Sequence, residues 1–465
     1  MTRYRDLADE LAALITGGTL QAGERVPSVR ELVRQHAVSP ATAMRAYEIL
    51  ESKDLIEARP RSGYYVRERP HHKPIESKRP RTTRTTNVAV SELVFEILEA
   101  TRVRSVVPLG SAFPSPALFP WRKLARFLGS SARHMDPWTT VQSLPPGSEE
   151  LRRQIARRYL LSGATVKTDD IIITSGALEA LNLALATVTR PGDVVAIESP
   201  TFYACLQAIE LAGLKAVEIP TSPVSGVDIA ALSDAISKHR IRACWFMTNF
   251  QNPTGATLTN EHKKELVQLL AKHEIPLIED DVYAELHFGE RPKSAKSFDR
   301  KGLVLNCGSF SKSLAPGYRV GWVAAGRFAS AIQRRKIVST LATSVPVQEG
   351  IAAILRHESF DAHLHELRQA LRDQQQKVLV AIKRYFSAGV KVHIPDGGYF
   401  LWLELPKEAD AMRIYRAALD ANISIAPGPM FSAQQGFRNC VRINCGHPFT
   451  PTIDRALVKL GQLCA

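Results

Sequence analysis

The chain has 465 residues, too many for one ordinary domain and enough for two or three. Its 45% hydrophobic and 23% charged content is the profile of a soluble globular protein with a sizeable core, and no run approaches the roughly 18 apolar residues of a membrane span. A net charge of +14 points towards a polyanionic partner without requiring one.

The opening MTRYRDLADELAALI alternates charged and apolar residues and lacks the apolar stretch of a secretory leader. Cys205, Cys244, Cys307, Cys440, Cys445 and Cys464 are scattered, with no CxxC pair and no metal-ligand clustering. That usage predicts reduced, buried thiols in a cytoplasmic protein, no metal site and no membrane partner.

Tyr4, Leu7, Leu11, Leu14 and Ile15 share one face of a predicted first helix. After the glycines at 17, 18 and 23, Pro27-Ser28-Val29-Arg30-Glu31 starts a second. Ser28 is its cap and Glu31, three residues on, completes a capping box. Ser39-Pro40 opens a third, serine as cap and proline at the first position. Its predicted apolar face holds Met44, Tyr47, Ile49 and Leu50, leaving Thr42, Arg45 and Glu48 elsewhere. Two short helices so spaced fit a helix-turn-helix, and fit a small helical bundle with a basic rim equally well. Two strand-like runs between Leu55 and Val66 follow, flanking a turn with Arg59, Arg61 and Gly63.

The wording from PSVREL through VSPATAMRAYEILESKDLIEARPRSGYYV resembles the GntR family of winged helix-turn-helix repressors over residues 3–66. The resemblance implies that Arg30, Ser39, Thr42 and Arg45 face double-stranded operator DNA, with Gly63 shaping the wing. Pro40 and Ala41 stand where many relatives place polar residues, which favours phosphate contacts by their neighbours over base readout by that stretch.

Residues 68–87 (ERPHHKPIESKRPRTTRTTN) carry no hydrophobic pattern and read as a flexible basic linker between a domain at 1–67 and a larger one at 88–465. Beyond it, apolar runs such as Ile171-Ile172-Ile173, Val194-Val195-Ala196-Ile197, Leu277-Ile278 and Leu303-Val304-Leu305 alternate with amphipathic stretches, which predicts an α/β fold.

Several short pieces in this region suit one chemistry. Lys312 in Ser309-Phe310-Ser311-Lys312 follows a strand and is flanked by hydroxyls, which suits Schiff-base chemistry beside a phosphate. Arg319 adds a charged clamp. Ser175-Gly176-Ala177 opens a helix whose N–H groups suit a phosphate. Asn252 in NPTG, and Asp280 with Tyr283 in EDDVY, sit at strand ends, where α/β ligands bind. Phe202 offers a stacking ring, and Arg442 a bidentate carboxylate partner. Taken singly, each has an ordinary alternative: a turn for NPTG, a helix cap for Asp280, a core ring for Phe202, a structural ion pair for Arg442.

Together, SGALEAL, ESPTF, NPTG, EDDVY, SFSK, YRVGW, GGYFLW and VRINCG resemble fold-type I aminotransferases across about residues 105–460. That implies a large, mostly parallel-sheet domain plus a small α+β C-terminal one, holding pyridoxal 5'-phosphate. Lys312 would form the Schiff base, Asp280 would pair with the pyridinium, and Asn252 and Tyr283 would meet the phenolic oxygen. Ser175, Gly176, Ala177, Ser309, Ser311 and Arg319 would hold the phosphate. Phe202 would stack on the ring, and Arg442 would take a substrate carboxylate. Gln142 stands where relatives carry a tyrosine that reaches the neighbouring subunit's phosphate.

A GntR-like reader joined by a linker to an aminotransferase-like body resembles the MocR subfamily of regulators. The resemblance implies a head-to-tail homodimer that senses an amino acid or amine, or pyridoxal phosphate itself, through Lys312 and reports it to DNA. The rival expectation is a working aminotransferase with an accessory DNA-binding domain, since base, electron-sink partner and carboxylate arginine are all present.

Overall fold

Ser28 and Glu31 cap each other: the Ser28 N–H donates to Glu31 Oε2 at 2.6 Å, and the Glu31 N–H to Ser28 Oγ at 3.3 Å. This box starts helix α2 (Val29–His36), which follows α1 (Arg3–Thr16) and precedes α3 (Pro40–Ser52). Strands β1 (Ile56–Arg59) and β2 (Gly63–Val66) then form an antiparallel hairpin, Arg59 opposite Gly63. Leu7, Leu11, Leu32, Ala43, Ala46, Tyr47, Leu50 and Val66 close a core of their own. Two expectations are corrected here. Met44 is 39% exposed, because the small residues Ala43 and Ala46 take the inward positions of α3 beside Tyr47, and Leu14 is 38% exposed, the buried positions of α1 being Leu7, Ala8 and Leu11.

The structure, a computed structural model, describes residues 3–53, 55–59, 62–67, 85–100, 105–357 and 359–464. The chain divides into two compact units, Met1–His71 and His72–Ala465. Most of the expected linker, 68–84, and Arg61 of the expected wing turn lie outside the described residues. The end of that stretch is strand β3 (Thr86–Asn87), paired with Ala216 and Lys215 of the main sheet. Edge pairing uses backbone groups alone, so side-chain composition does not reveal it.

The main sheet runs β3, β6 (Lys215–Ser222), β5 (Val194–Ser199), β8 (Ile241–Phe246), β9 (Leu277–Asp280), β10 (Val304–Ser309), β11 (Gly321–Ala324) and β4 (Ile171–Thr174), with β7 (Gly226–Val227) beside β6. From β6 to β10 all neighbours are parallel, and β11 runs against both β10 and β4. Helices cover both faces, so runs such as Ile171-Ile172-Ile173 are buried throughout instead of alternating. A second, antiparallel sheet orders β12 (Lys391–His393), β13 (Phe400–Glu404), β15 (Cys440–Asn444) and β14 (Ala426–Pro427). This is the expected α/β architecture with its smaller α+β part. Among the described residues, no helix is long and apolar enough to cross a membrane. The parallel strands β5, β8, β9 and β10 end on one edge, and the motif residues gather there.

Candidate functional site

Lys312 lies three residues past the end of β10, and its Nζ donates to Ala112 O at 2.7 Å while sitting 3.6 Å from the Phe113 ring centroid. Burial pulls its ammonium down to about 7, with Arg442 and Arg319 pushing the same way and Asp280 opposing them. Asp280 ends β9 and is 1% exposed. Burial raises its carboxyl to about 7, although the Val282 N–H and Lys312 favour the charged form. Its Oδ1 is buried with no hydrogen-bond partner, so the strand end presents an acceptor waiting for a donor.

Arg442, on β15, is also 1% exposed. Its Nη1 donates to Asn252 Oδ1 at 2.9 Å and its Nη2 to Gly110 O at 2.7 Å and Ser111 O at 3.2 Å. The guanidinium lies 4.2 Å from the Phe400 centroid. All these partners are neutral, and Arg442 Nε and Asn252 Nδ2 are buried without partners. A buried cation with only neutral company is poised for an anionic ligand. The phenol of Tyr283 packs 5.6 Å from the Tyr399 ring, and burial pushes it well above the usual range.

The hydroxyls beside Lys312 converge with Arg319. Ser309 Oγ is 3.0 Å from Ser311 Oγ, and Arg319 Nη1 donates to Ser311 Oγ at 3.2 Å. Across from them, Gly176 (φ 91°) precedes the helix Ala177–Val188 without a side-chain cap. A Cβ on Gly176 would lie 2.5 Å from Arg319 Nη2, and one on Gly321 would lie 2.7 Å from the Ala177 nitrogen. Only glycines let that helix start, that arginine and β11 meet. Ser175 Oγ is 3.5 Å from Thr343 Oγ1, while its N–H donates to Glu179 Oε2 at 2.5 Å. Phe202 is half-buried with its ring 4.7 Å from Tyr203, at one end of a ring series through Phe431 to Arg442.

Sequence reasoning missed several neighbours of these residues. Ala112 O accepts from both Lys312 and Tyr399, and nothing in a backbone carbonyl signals such a role. Tyr399 lies inside the quoted GGYFLW string and was readable as a candidate there. Lys336, 1% exposed, pairs with Glu179 at 2.9 Å and so anchors the Ser175 turn from another helix.

In the winged unit, Arg30 is exposed on α2. Ser39 Oγ accepts from the Thr42 N–H at 3.1 Å and lies 2.9 Å from Thr42 Oγ1, so both hydroxyls serve the start of α3. Arg45 is exposed and paired with Glu48 at 2.7 Å. Gly63 has φ 103°, and a Cβ there would come within 3.3 Å of the Arg25 guanidinium. Arg25 is exposed, bridges to Tyr65 of β2 and was not among the expected residues.

Comparison with known proteins finds likenesses in both parts of the chain. Residues 3–66 match the bacterial regulatory proteins of the gntR family, and residues 133–460 match aminotransferase class I and II. The chain is 46% identical over 464 residues to the HTH-type transcriptional regulator YdcR of Escherichia coli (strain K12), covering 100% of this chain and 99% of that one. It is 38% identical to YjiR of the same organism, over 99% and 98%. Among solved structures, LysN, an α-aminoadipate aminotransferase of Thermus thermophilus complexed with N-(5'-phosphopyridoxyl)-L-leucine, superposes with a TM-score of 0.74. It is 29% identical over 81% of this chain and 95% of that one. The cofactor of this fold is pyridoxal phosphate. The site's own features fit that group: an unpartnered acceptor on Asp280, a lysine of lowered basicity, and a glycine-lined turn facing Arg319 and two serines. The chain belongs to the GntR-type transcriptional regulators of the MocR subfamily, in which a winged helix-turn-helix precedes a pyridoxal phosphate-dependent aminotransferase class I and II domain.

Proposed function

We propose that this regulator senses an α-amino acid at the Lys312 site and answers by changing its hold on operator DNA. The observation that carries the reading is Arg442, a buried guanidinium whose partners are all neutral and whose Nε is unpartnered, close enough to Lys312 to lower its basicity. A carboxylate on Arg442 would leave the ligand's amine towards Lys312.

Pyridoxal phosphate, when bound, supplies a covalent handle for amines and an electron sink. Lys312 would hold it covalently, and Asp280 would accept from its ring nitrogen. Asn252 and Tyr283 would meet its phenolic oxygen, and Phe202 would lie against its ring. Ser175, Gly176, Ala177, Ser309, Ser311 and Arg319 would hold its phosphate. An amine nitrogen near neutrality lets Lys312 take up and release a proton without a large barrier. The Phe113 ring packs against the Lys312 amine.

In the winged unit, Arg30, Ser39, Thr42 and Arg45 would meet DNA, with Gly63 setting the wing. The larger unit would pair head to tail, and it exposes Trp138 (67%), Val141 (62%) and Leu144 (46%) around Gln142, apolar area that a partner subunit would cover. The domain limits 1–67, 68–87 and 88–465 belong to the same proposal, as does a cytoplasmic location.

The test follows the visible absorption of the cofactor-loaded full-length chain during titration with amino acids and amines, in parallel with operator binding. Spectral and DNA responses at the same ligand concentration support a sensor. A spectral response with no change in DNA binding counts against it. The second reading, a working transaminase, is favoured by the juxtaposition of Lys312, Asp280 and Arg442, and release of a keto acid from an added amino acid would establish it.

A further inference from the structure

Behind the strand ends that carry Asp280 and Ser309 lies a second pocket, which shares only Ser309 with the proposed cofactor set. It opens between the helix Glu149–Leu161, the turn after Asp280 and strand β10, with a cavity of about 50 Å³ partly open to solvent. Arg158 and Arg291 stand on its wall beside Glu285.

The charges there do not balance. Glu285 accepts from Arg158 at 2.7 Å, from Arg291 at 2.8 Å and from Arg368 at 3.3 Å. Asp361, 2.9 Å from Arg158, is the other carboxylate paired with this cluster among the described residues. Asp281, also on the wall, is turned to Asn249 and Asn306, and burial raises its carboxyl to about 7. Three guanidiniums, Arg158, Arg291 and Arg368, therefore share two carboxylates, Glu285 and Asp361. The neighbouring His287 feels the excess: burial first, then Arg368, lowers its imidazole to about 4.

Two hydrogen-bonding atoms at this pocket are buried and unpartnered, Arg291 Nε and Ser294 Oγ. Ser294 is 3% exposed, so open water does not supply what the protein withholds. Both atoms can donate, and one belongs to a permanent cation. Unsatisfied donors beside surplus positive charge, in a narrow cleft, specify an acceptor-rich anion of few atoms.

We propose that this pocket binds a small oxyanion, inorganic phosphate or a short carboxylate, gripped by Arg291 and Ser294. It is distinct from the place proposed for the cofactor's phosphate, which lies at Ser175–Ala177, Ser311 and Arg319. Its occupant touches the turn that follows Asp280 and contains Tyr283 and Glu285.

The test is calorimetric titration of the cofactor-loaded full-length protein with inorganic phosphate and, separately, with acetate. For at least one of them, wild type should show a saturable site that Arg442→Gln leaves in place, which sets it apart from the carboxylate subsite proposed at Arg442. Arg291→Met should weaken it about tenfold or more, as expected for removal of a charge-assisted hydrogen bond, and Ser294→Ala severalfold. The cofactor's visible absorption should be the same in wild type and in these last two variants. Preference for phosphate identifies a tetrahedral oxyanion, and preference for acetate a carboxylate. Arg291→Met also removes a partner of Glu285, a change able to disturb folding for that reason alone. Ser294→Ala removes only an unpartnered hydroxyl and settles the matter by itself. No saturable heat with either anion, or equal affinity in wild type and Ser294→Ala, overturns the proposal and leaves the reading of the Lys312 site untouched.

Discussion

Arg442 Nη1 donates to Asn252 Oδ1 over 2.9 Å, joining the small antiparallel sheet to the loop after β8. One residue is proposed to meet the ligand's carboxylate and the other the cofactor, so the bond ties the two subsites together. Arg442→Gln should therefore weaken α-amino acids about 10- to 100-fold, the worth of hydrogen bonds to a charged group. Amines without a carboxylate should bind as before. Absorbance titration of the loaded protein with matched acid and amine pairs checks this, and equal weakening of both series would make Arg442 structural.

Lys312 and Asp280 should give the cofactor-free protein opposing pH dependences. The lysine's folded value of about 7 lies below its ordinary one, so its contribution to stability grows as pH rises from about 7 to about 10. Asp280, raised to about 7, contributes stability at low pH that is lost between about 4 and about 7. Melting curves across this range should lose the alkaline rise in Lys312→Met and the acidic fall in Asp280→Asn.

Lys336 and Glu179 form a largely buried ion pair at 2.9 Å, and Glu179 also receives the Ser175 N–H. Burial alone raises the Glu179 carboxyl, but hydrogen bonds from Thr340, Ser175 and Lys336 hold it below its usual value. Lys336→Met should destabilise the larger unit by about 3–5 kcal/mol, because it strands a buried charge. Adding Glu179→Leu should recover part of that loss in a denaturant-melt double-mutant cycle; simple additivity would show that the pair is not coupled.

Gly176 has no room for a methyl group, with Arg319 Nη2 2.5 Å from the Cβ position and φ at 91°. Gly176→Ala should displace Arg319 and lower cofactor affinity, read from the dissociation of bound pyridoxal phosphate during dialysis. Retention equal to wild type would show that the turn can shift at little cost.

Arg30→Ala with Arg45→Ala should abolish operator binding at physiological salt while leaving the cofactor spectrum intact. Each arginine that no longer neutralises a DNA phosphate should also reduce the salt slope of log affinity by about 0.9. Glu48→Ala should do the reverse, since it frees Arg45 from its 2.7 Å partner. Gel-shift titrations at several salt concentrations separate these outcomes.

Features that rest on residue type and near neighbours were legible in the sequence. Ser28 and Glu31 cap a helix because they are three residues apart, and Ile171-Ile172-Ile173 reads as a strand buried on both faces. Lys312 beside Ser309 and Ser311 at a strand end suits Schiff-base chemistry, but those four residues alone fit a surface lysine as well, and only the ordered series of motifs around them points to it. What the tertiary structure decided lies between residues far apart in the chain. Arg442 and Asn252 are 190 positions apart, Lys312 and Ala112 are 200, and Lys336 and Glu179 are 157. Met44 faces outward because Ala43 and Ala46 fill the space beneath α3, a choice set by the packing of its neighbours. The lowered basicity of Lys312 and the unpartnered atoms at Asp280, Arg442, Arg291 and Ser294 arise only when folding strips water from groups that the sequence shows as ordinary polar side chains. Local pattern names the chemical groups, and desolvation by distant parts of the chain sets their charge and leaves them in need of a ligand.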